Sequence, residues 1–231
     1  RRIASISVIH KIKGHYLDTK HPLIMENLHG IKRVKGSNQK AKKPILINDL
    51  KLIIHAIDQA NQSENKKIRD KALMLIGFSG GFRRSELVNI EYEDVEFVNE
   101  GVKIFIKRSK TDQSGEGMIK AIPYFDNELF CPVKSLKIWI NHSEIKAGRI
   151  FDISDKSVSL IIKKYASLSG LNPNNYAGHS LRSGFATSTA ESGAEERNIM
   201  AMTGHKTTQM VRRYIQEANL FKNNALNKIK I

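Results

Sequence analysis

Three short stretches of this 231-residue chain set arginine or histidine beside small residues and apolar helix faces. "SGGFRRSELVNI" places Arg83 and Arg84 directly after a glycine break, and "GHSLRSGFATS" places His179 and Arg182 at i, i+3. "MTGHKTTQMVRRYI" places His205 nine residues ahead of Tyr214. Arginine carries a fixed fork of donors that matches phosphate oxygens and keeps its charge at any ordinary pH, so a pair of arginines can stabilise charge developing on phosphorus. Tyrosine is a competent nucleophile toward phosphorus, and its ester conserves the energy of the bond it breaks. Its phenol, with a pKa near 10, is only about 0.1% ionised at neutral pH, so it needs a base or a strongly cationic surrounding.

Taken singly, each residue has an ordinary use. Arg83 can pair with Glu86 on a solvated helix surface, and His179 and Arg182 can be surface groups at a helix start. Tyr214, among Met210, Val211 and Ile215, can be the edge of a core. A zinc site fits poorly, because His179 and His205 stand 26 positions apart with no Cys or acidic partner at ligand spacing. There is no P-loop, no Rossmann glycine pattern and no close Asp/Glu cluster for two Mg²⁺ ions, so neither metal nor cofactor is expected. The one cysteine, Cys131, precedes the proline that opens an amphipathic helix; burial there suits it better than nucleophilic work, and a single thiol suits a reducing compartment.

The elements that must position these residues are legible in outline. A 40% apolar fraction supports a real core, and no run of apolar residues is long enough to span a membrane. Ile3, Ile6 and Ile9 share one helical face, and Leu23, Met25, Leu28 and Ile31 another after Pro22; two such helices bury too little to stand alone. Residues 1–40 therefore read as the end of a small helical domain, closed by the polar stretch "GSNQKAKKP", and the missing initiator methionine as the mark of an internal fragment. From residue 41 to 231 the pattern is one mainly helical domain of the α+β kind. "INDLKLIIHAIDQA", with Asn48 or Asp49 as its cap, and "KKIRDKALMLIGFSG" read as helices, the second broken by Gly80 and Gly81. "DVEFV", "VKIFIK" and "MIKAIP" read as a small three-stranded antiparallel sheet, the last two joined by the hairpin loop "RSKTDQSGEG". Helices resume at Pro132, and Ser192 with Glu195 forms an expected capping box for a helix that Gly204 ends.

Together the three stretches make one constellation, Arg … His-x-x-Arg … His … Tyr, and here the chain resembles the catalytic domain of the tyrosine recombinases, the phage integrase family. "GFRRSEL" matches the family's first arginine segment with Arg83, "HSLRSGFAT" its H-x-x-R box, and "MTGHKTTQMVRRY" its histidine–tyrosine box. Met202-Thr203 departs from the leucine that usually precedes the Gly-His pair. The resemblance runs over residues 41 to 216, and residues 1–40 resemble the last helices of the family's core-binding domain.

What the resemblance implies is a site-specific DNA recombinase or integrase that cuts and rejoins DNA through a 3′-phosphotyrosine, without metal or ATP. Tyr214 is then the nucleophile, Arg83 and Arg182 clamp the non-bridging oxygens, His205 adds a hydrogen bond, and His179 is the base candidate. A lysine of the strand hairpin protonates the leaving 5′ oxygen; Lys110 fits best, with Lys107 and Lys120 as rivals. Glu86 would fix the first arginine, and Arg212 and Arg213 would touch backbone phosphate or solvent. A type IB topoisomerase shares the chemistry, and a catalytically silent DNA-binding relative shares the fold. The implied setting is cytoplasmic, bacterial or phage-encoded, with double-stranded DNA as partner. Four copies would act on two sites, with room for accessory DNA-bending proteins.

The formal net charge of +15 supports the polyanionic partner independently, with nine basic residues against two acidic ones in residues 1–40. Affinity for duplex DNA is therefore expected to fall steeply with salt, by about 0.9 log units per log unit of salt for each phosphate neutralised. Filter binding or fluorescence anisotropy at several salt concentrations checks this, and a slope near zero would remove DNA as the principal partner.

Overall fold

The computed structural model describes residues 2–36, 42–107, 117–219, 221 and 225–229, in two compact units, Arg1–Ala41 and Lys42–Ile231. The first unit holds α1 (Arg2–Ile12) and α2 (Pro22–Lys35), neither of which buries a residue. Pro22 opens α2, where its missing N–H would have had no helical partner, and the His21 ring accepts from the Leu23 N–H at 3.3 Å.

The second unit carries α3 (Ile47–Gln59), α4 (Glu64–Ser79), α5 (Arg84–Val88), β1 (Val95–Val98), β2 (Gly101–Ile106) and β3 (Met118–Pro123), followed by α6 (Pro132–His142), α7 (Asp155–Leu168), α8 (Ser180–Glu191), α9 (Glu196–Thr203) and α10 (Thr208–Asn219). It is mainly helical with one antiparallel sheet in the order β1-β2-β3, as the patterning predicts. Every residue of α4 from Ala72 to Ser79 is buried, so this helix has no polar face there and runs through the core, packed by α3, α6 and α8. In β2, Val102, Ile104 and Ile106 point inward, and Ile106 faces Met118 across the register. The hairpin loop that joins β2 to β3, residues 108–116 with Lys110, lies outside the described residues. Cys131 is fully buried just ahead of α6, as its place before Pro132 suggests. Among the described residues no helix is long and apolar enough to cross a membrane.

Two expected caps are corrected. Helix α3 starts at Ile47 with Leu46 as its cap residue, so neither Asn48 nor Asp49 caps it. Asp49 is drawn away by tertiary structure, accepting from the Tyr176 hydroxyl at 3.0 Å. The capping box of Ser192 and Glu195 does not form either. Ser192 closes α8, its Oγ donating to the Ser188 carbonyl at 3.0 Å, and Glu195 caps α9 without a side-chain bond. A helix end within reach satisfied the serine before the next helix start could.

The segment that enters the second unit is seated directly on α8. Ile45 is fully buried, its N–H donates to the Ser180 carbonyl at 2.9 Å, and a methyl placed on Gly184 would stand 1.9 Å from the Ile45 carbonyl oxygen. Backbone cannot yield as a side-chain tip can. Gly184→Ala is therefore expected to lower stability by about 1–3 kcal/mol, measured as a reduced denaturant midpoint. An unchanged midpoint would mean that Ile45 does not dock on α8 this way.

Candidate active site

The cluster is built on helix ends. Helix α4 stops at Gly80, and Gly81 turns the chain in the left-handed region (φ 55°), where a side chain would press on Phe185 and Thr203. This turn delivers Phe82 into the core and Arg83 to the start of α5. Glu86 holds Arg83 in two ways, its Oε2 accepting from the Arg83 N–H at 3.0 Å and its Oε1 pairing with Nη1 at 2.5 Å. Burial pushes the Glu86 carboxyl up, but the bonds from Arg83 and the charges of Arg83 and Lys120 outweigh it and hold the carboxyl below its ordinary range. Glu86 thus does fix the first arginine.

Arg182, in the first turn of α8, is only 5% exposed. Its Nη1 donates to the Gly81 carbonyl at 2.9 Å, while its Nη2 is buried with no hydrogen-bond partner. Burial, then repulsion from Arg83, lowers its pKa to about 10, with Glu86 and Tyr214 opposing. An orphaned guanidinium nitrogen in such a place is unusual, because burying a charged donor without a partner is costly.

His205 follows Gly204, which ends α9 in the left-handed region (φ 62°). Its Nδ1 lies 2.7 Å from Thr203 Oγ1, and that hydroxyl spends its only proton on the Ile199 carbonyl at 2.6 Å. The hydroxyl must therefore accept from Nδ1–H, leaving Nε2 as the outward nitrogen. Burial first, then the charges of Arg182, Arg83 and Lys120, lower the His205 pKa to about 4. The ring centroids of His205 and Tyr214 are 5.9 Å apart, and Tyr214 is half-buried on α10. Helix α10 is held against α8 and α9 by a small separate core of Ala186, Ala190, Ile199 and Val211, against which Tyr214 packs. The bland reading of this tyrosine, a core edge, is thus true of part of its ring.

Arg83, Arg182, His205 and Tyr214 come together. His179 is the cap residue of α8, with helical backbone angles (φ −84°, ψ −10°), and is exposed where Arg182 is buried. Lys110 lies outside the described residues. Of its rivals, Lys107 is bound to Glu91 (2.5 Å) and Asp94 (3.0 Å), which push its pKa up to about 12, a poor proton donor. Lys120 is fully buried within the cluster. Sequence reasoning passed over Thr203, a residue noted only as a departure from pattern, yet it orients His205. Among the described residues no three His, Cys, Asp or Glu side chains are grouped to hold a metal ion.

Residues 45–220 match the model of the phage integrase family. The chain belongs to the phage integrase family. An integrase/recombinase xerD homolog of Selenomonas ruminantium is 43% identical over 244 aligned residues, covering 99% of this chain and 71% of the relative. Tyrosine recombinase XerA of Pyrococcus horikoshii is 28% identical, over 90% of this chain and 73% of its own length. Among solved structures, a XerA recombinase superposes with a TM-score of 0.62 at 17% identity, covering 98% of this chain and 90% of that one. A XerH site-specific recombinase in a post-cleavage complex with its difH substrate gives 0.65 at 19% identity, over 84% of this chain; this chain spans 57% of that one. The fold is that of tyrosine recombinase catalytic domains, and the protein is a tyrosine-type site-specific DNA recombinase.

The depressed pKa of His205 has a consequence for this recombinase's stability. The unfolded chain takes up the proton near pH 6.5 and the folded one only near 4, so stability falls as pH drops through that window. In His205→Gln the stability–pH curve between about pH 6.5 and 4 is expected to be shallower than in the parent. Urea melts at half-unit pH steps check this, and parallel curves would show that the imidazole does not sit in this cationic field.

Proposed function

We propose that Tyr214 attacks a DNA phosphodiester held by Arg83 and Arg182, breaking the bond to the 5′ oxygen and leaving a 3′-phosphotyrosine that a DNA hydroxyl later reverses. The observation that carries this is the buried, unpartnered Nη2 of Arg182 beside Arg83 and Tyr214, a place that wants an anion. Both guanidinium groups are already held, by Glu86 and by the Gly81 carbonyl, so they need no reorganisation as charge develops on the phosphate.

A phosphodiester seated there offsets the positive field that, after burial, keeps His205 neutral. His205 then takes up a proton and donates Nε2–H to a non-bridging oxygen, its other nitrogen being fixed by Thr203. The phenol's proton passes to a base, for which His179 is the candidate, and the leaving 5′ oxygen takes a proton from Lys110. Both of these assignments rest on the motif match alone. Because strand exchange between two duplexes takes four cuts, four copies acting on two sites is the proposed assembly. Phe221 (86% exposed), Ala225 and Ile229 (60%), just beyond the helix that bears Tyr214, are the apolar residues proposed to link neighbouring copies. Ala225 opens a short 3-10 turn, Ala225–Lys228.

Tyr214→Phe is expected to bind duplex DNA like the parent while forming no denaturation-resistant adduct on a nicked suicide substrate. Parent activity should persist in EDTA, since arginines and a lysine take the place of metals. An adduct formed by the Phe variant would remove Tyr214 as nucleophile, and activity lost to EDTA and restored by Mg²⁺ would remove the metal-free mechanism. Exchange between two duplexes separates a recombinase from a topoisomerase, which relaxes supercoils alone.

A further inference from the structure

On β3 the inward positions are Met118, Lys120 and Ile122, so a lysine stands where alternation calls for an apolar side chain. It faces the fully buried Ile104 across the register and is itself 0% exposed. Isolated in a core, an ammonium would be strongly disfavoured, and something must offset that. Its Nζ donates to the Gly80 carbonyl at 2.7 Å and also to the Met202 carbonyl, and it sits 4.7 Å above the centre of the Phe82 ring.

Those two carbonyls are no random pair. Gly80 is the cap residue at the end of α4, and Met202 lies in the last turn of α9, where carbonyls lack helical partners. The negative ends of two helices therefore converge on one cation. Three residues after Gly80 comes Arg83, and three after Met202 comes His205. The neighbouring inward residue of the strand, Met118, approaches the same corner, with its sulfur 3.3 Å from where a methyl on Gly204 would stand.

We propose that Lys120 is a positioning residue for the recombination reaction, clamping the carbonyl ends of α4 and α9 together so that Arg83 and His205 keep a fixed spacing around the phosphate. This rests on the reading of Tyr214 as nucleophile. It differs from the proton-donor role for which Lys120 was a rival, because a side chain with no exposed surface and two carbonyl partners is committed to the protein's own backbone. Burial lowers its pKa to about 7, with Glu86 opposing and Arg182 and Arg83 adding to the shift. The neutral amine still has two N–H groups for the two carbonyls, so the clamp does not require the charge.

The test uses Lys120→Met, which keeps the unbranched stem beside Phe82 and removes both donors, in single-turnover cleavage of a normal suicide substrate and of one with a 5′-bridging phosphorothiolate. The expected result is DNA affinity within a few-fold of the parent, an unchanged reaction amplitude, and a cleavage rate constant lower by about 100-fold, the scale of a misplacement of about 1 Å. The deficit should be equal on the phosphorothiolate, because a better leaving group does not repair geometry. Rescue by the phosphorothiolate would make Lys120 the proton donor, and a parental rate constant would leave it without a role; either overturns the proposal. A reduced amplitude with a parental rate constant, the mark of a partly unfolded population, also overturns it. If Lys120→Met melts below the assay temperature, Lys120→Gln, whose amide nitrogen falls one bond short of the lysine Nζ and so cannot serve both carbonyls, decides on the same two substrates. Slowing without rescue supports the clamp, and rescue or a parental rate constant counts against it. Tyr214→Phe run alongside separates the two readings, since an adduct in that variant removes the nucleophile rather than the clamp.

Discussion

Three cationic side chains, Arg83, Arg182 and Lys120, converge in a space where water is largely excluded, and the rest of the site is arranged around that repulsion. Such a cluster lowers stability unless each charge finds compensation in place. Glu86 answers Arg83, the Gly81 carbonyl answers one nitrogen of Arg182, and two helix carbonyl ends answer Lys120. The compensation is incomplete. Arg182 keeps an orphaned nitrogen, and burial together with the residual field holds His205 neutral. An anion entering this space relieves what folding left unrelieved, which is how a folded protein holds a preformed phosphate site.

The fold serves this arrangement by delivering helix termini rather than helix faces. The end of α4, the start of α5, the first turn of α8 and the end of α9 meet at one corner, with β3 behind them. Glycine at 81 makes the sharp exit from α4 available, and the glycine at 184 lets the backbone of Ile45 lie on α8. By contrast α10, which bears Tyr214, rests on a core of four small or medium residues, far less than the one around α4. Regions with few buried apolar contacts open at lower free energy than the global fold. The two arginines are thus stiffly held and Tyr214 more lightly, a division suited to the proposed mechanism, in which Tyr214 is delivered to the phosphate and later released.

Much of this was legible before any coordinates. The inward alternation of β2, the burial of Cys131, the break at Gly80–Gly81 and the pairing of Glu86 with Arg83 all follow from local spacing, because each depends on neighbours a few residues away. The motif residues Arg83, Arg182, His205 and Tyr214 were legible through their types and order. What spacing misread were groups with competing partners: Asp49 goes to Tyr176, 127 positions away, and Ser192 turns back to α8. His179 stands at the cap of α8 and is exposed, although it lies i, i+3 from the buried Arg182.

The sequence by itself therefore determined the family, the helical and strand periods, and the inventory of charged groups able to handle a phosphate. Only the tertiary structure decided that Lys120 is buried and what it holds, since it meets Gly80 and Met202 across 40 and 82 positions of chain. It also decided that Thr203, a mismatch to the motif, sets the tautomer of His205. Hydrogen-bond partners and local fields depend on distance in space and on the exclusion of water, and neither is encoded in the separation of residues along the chain.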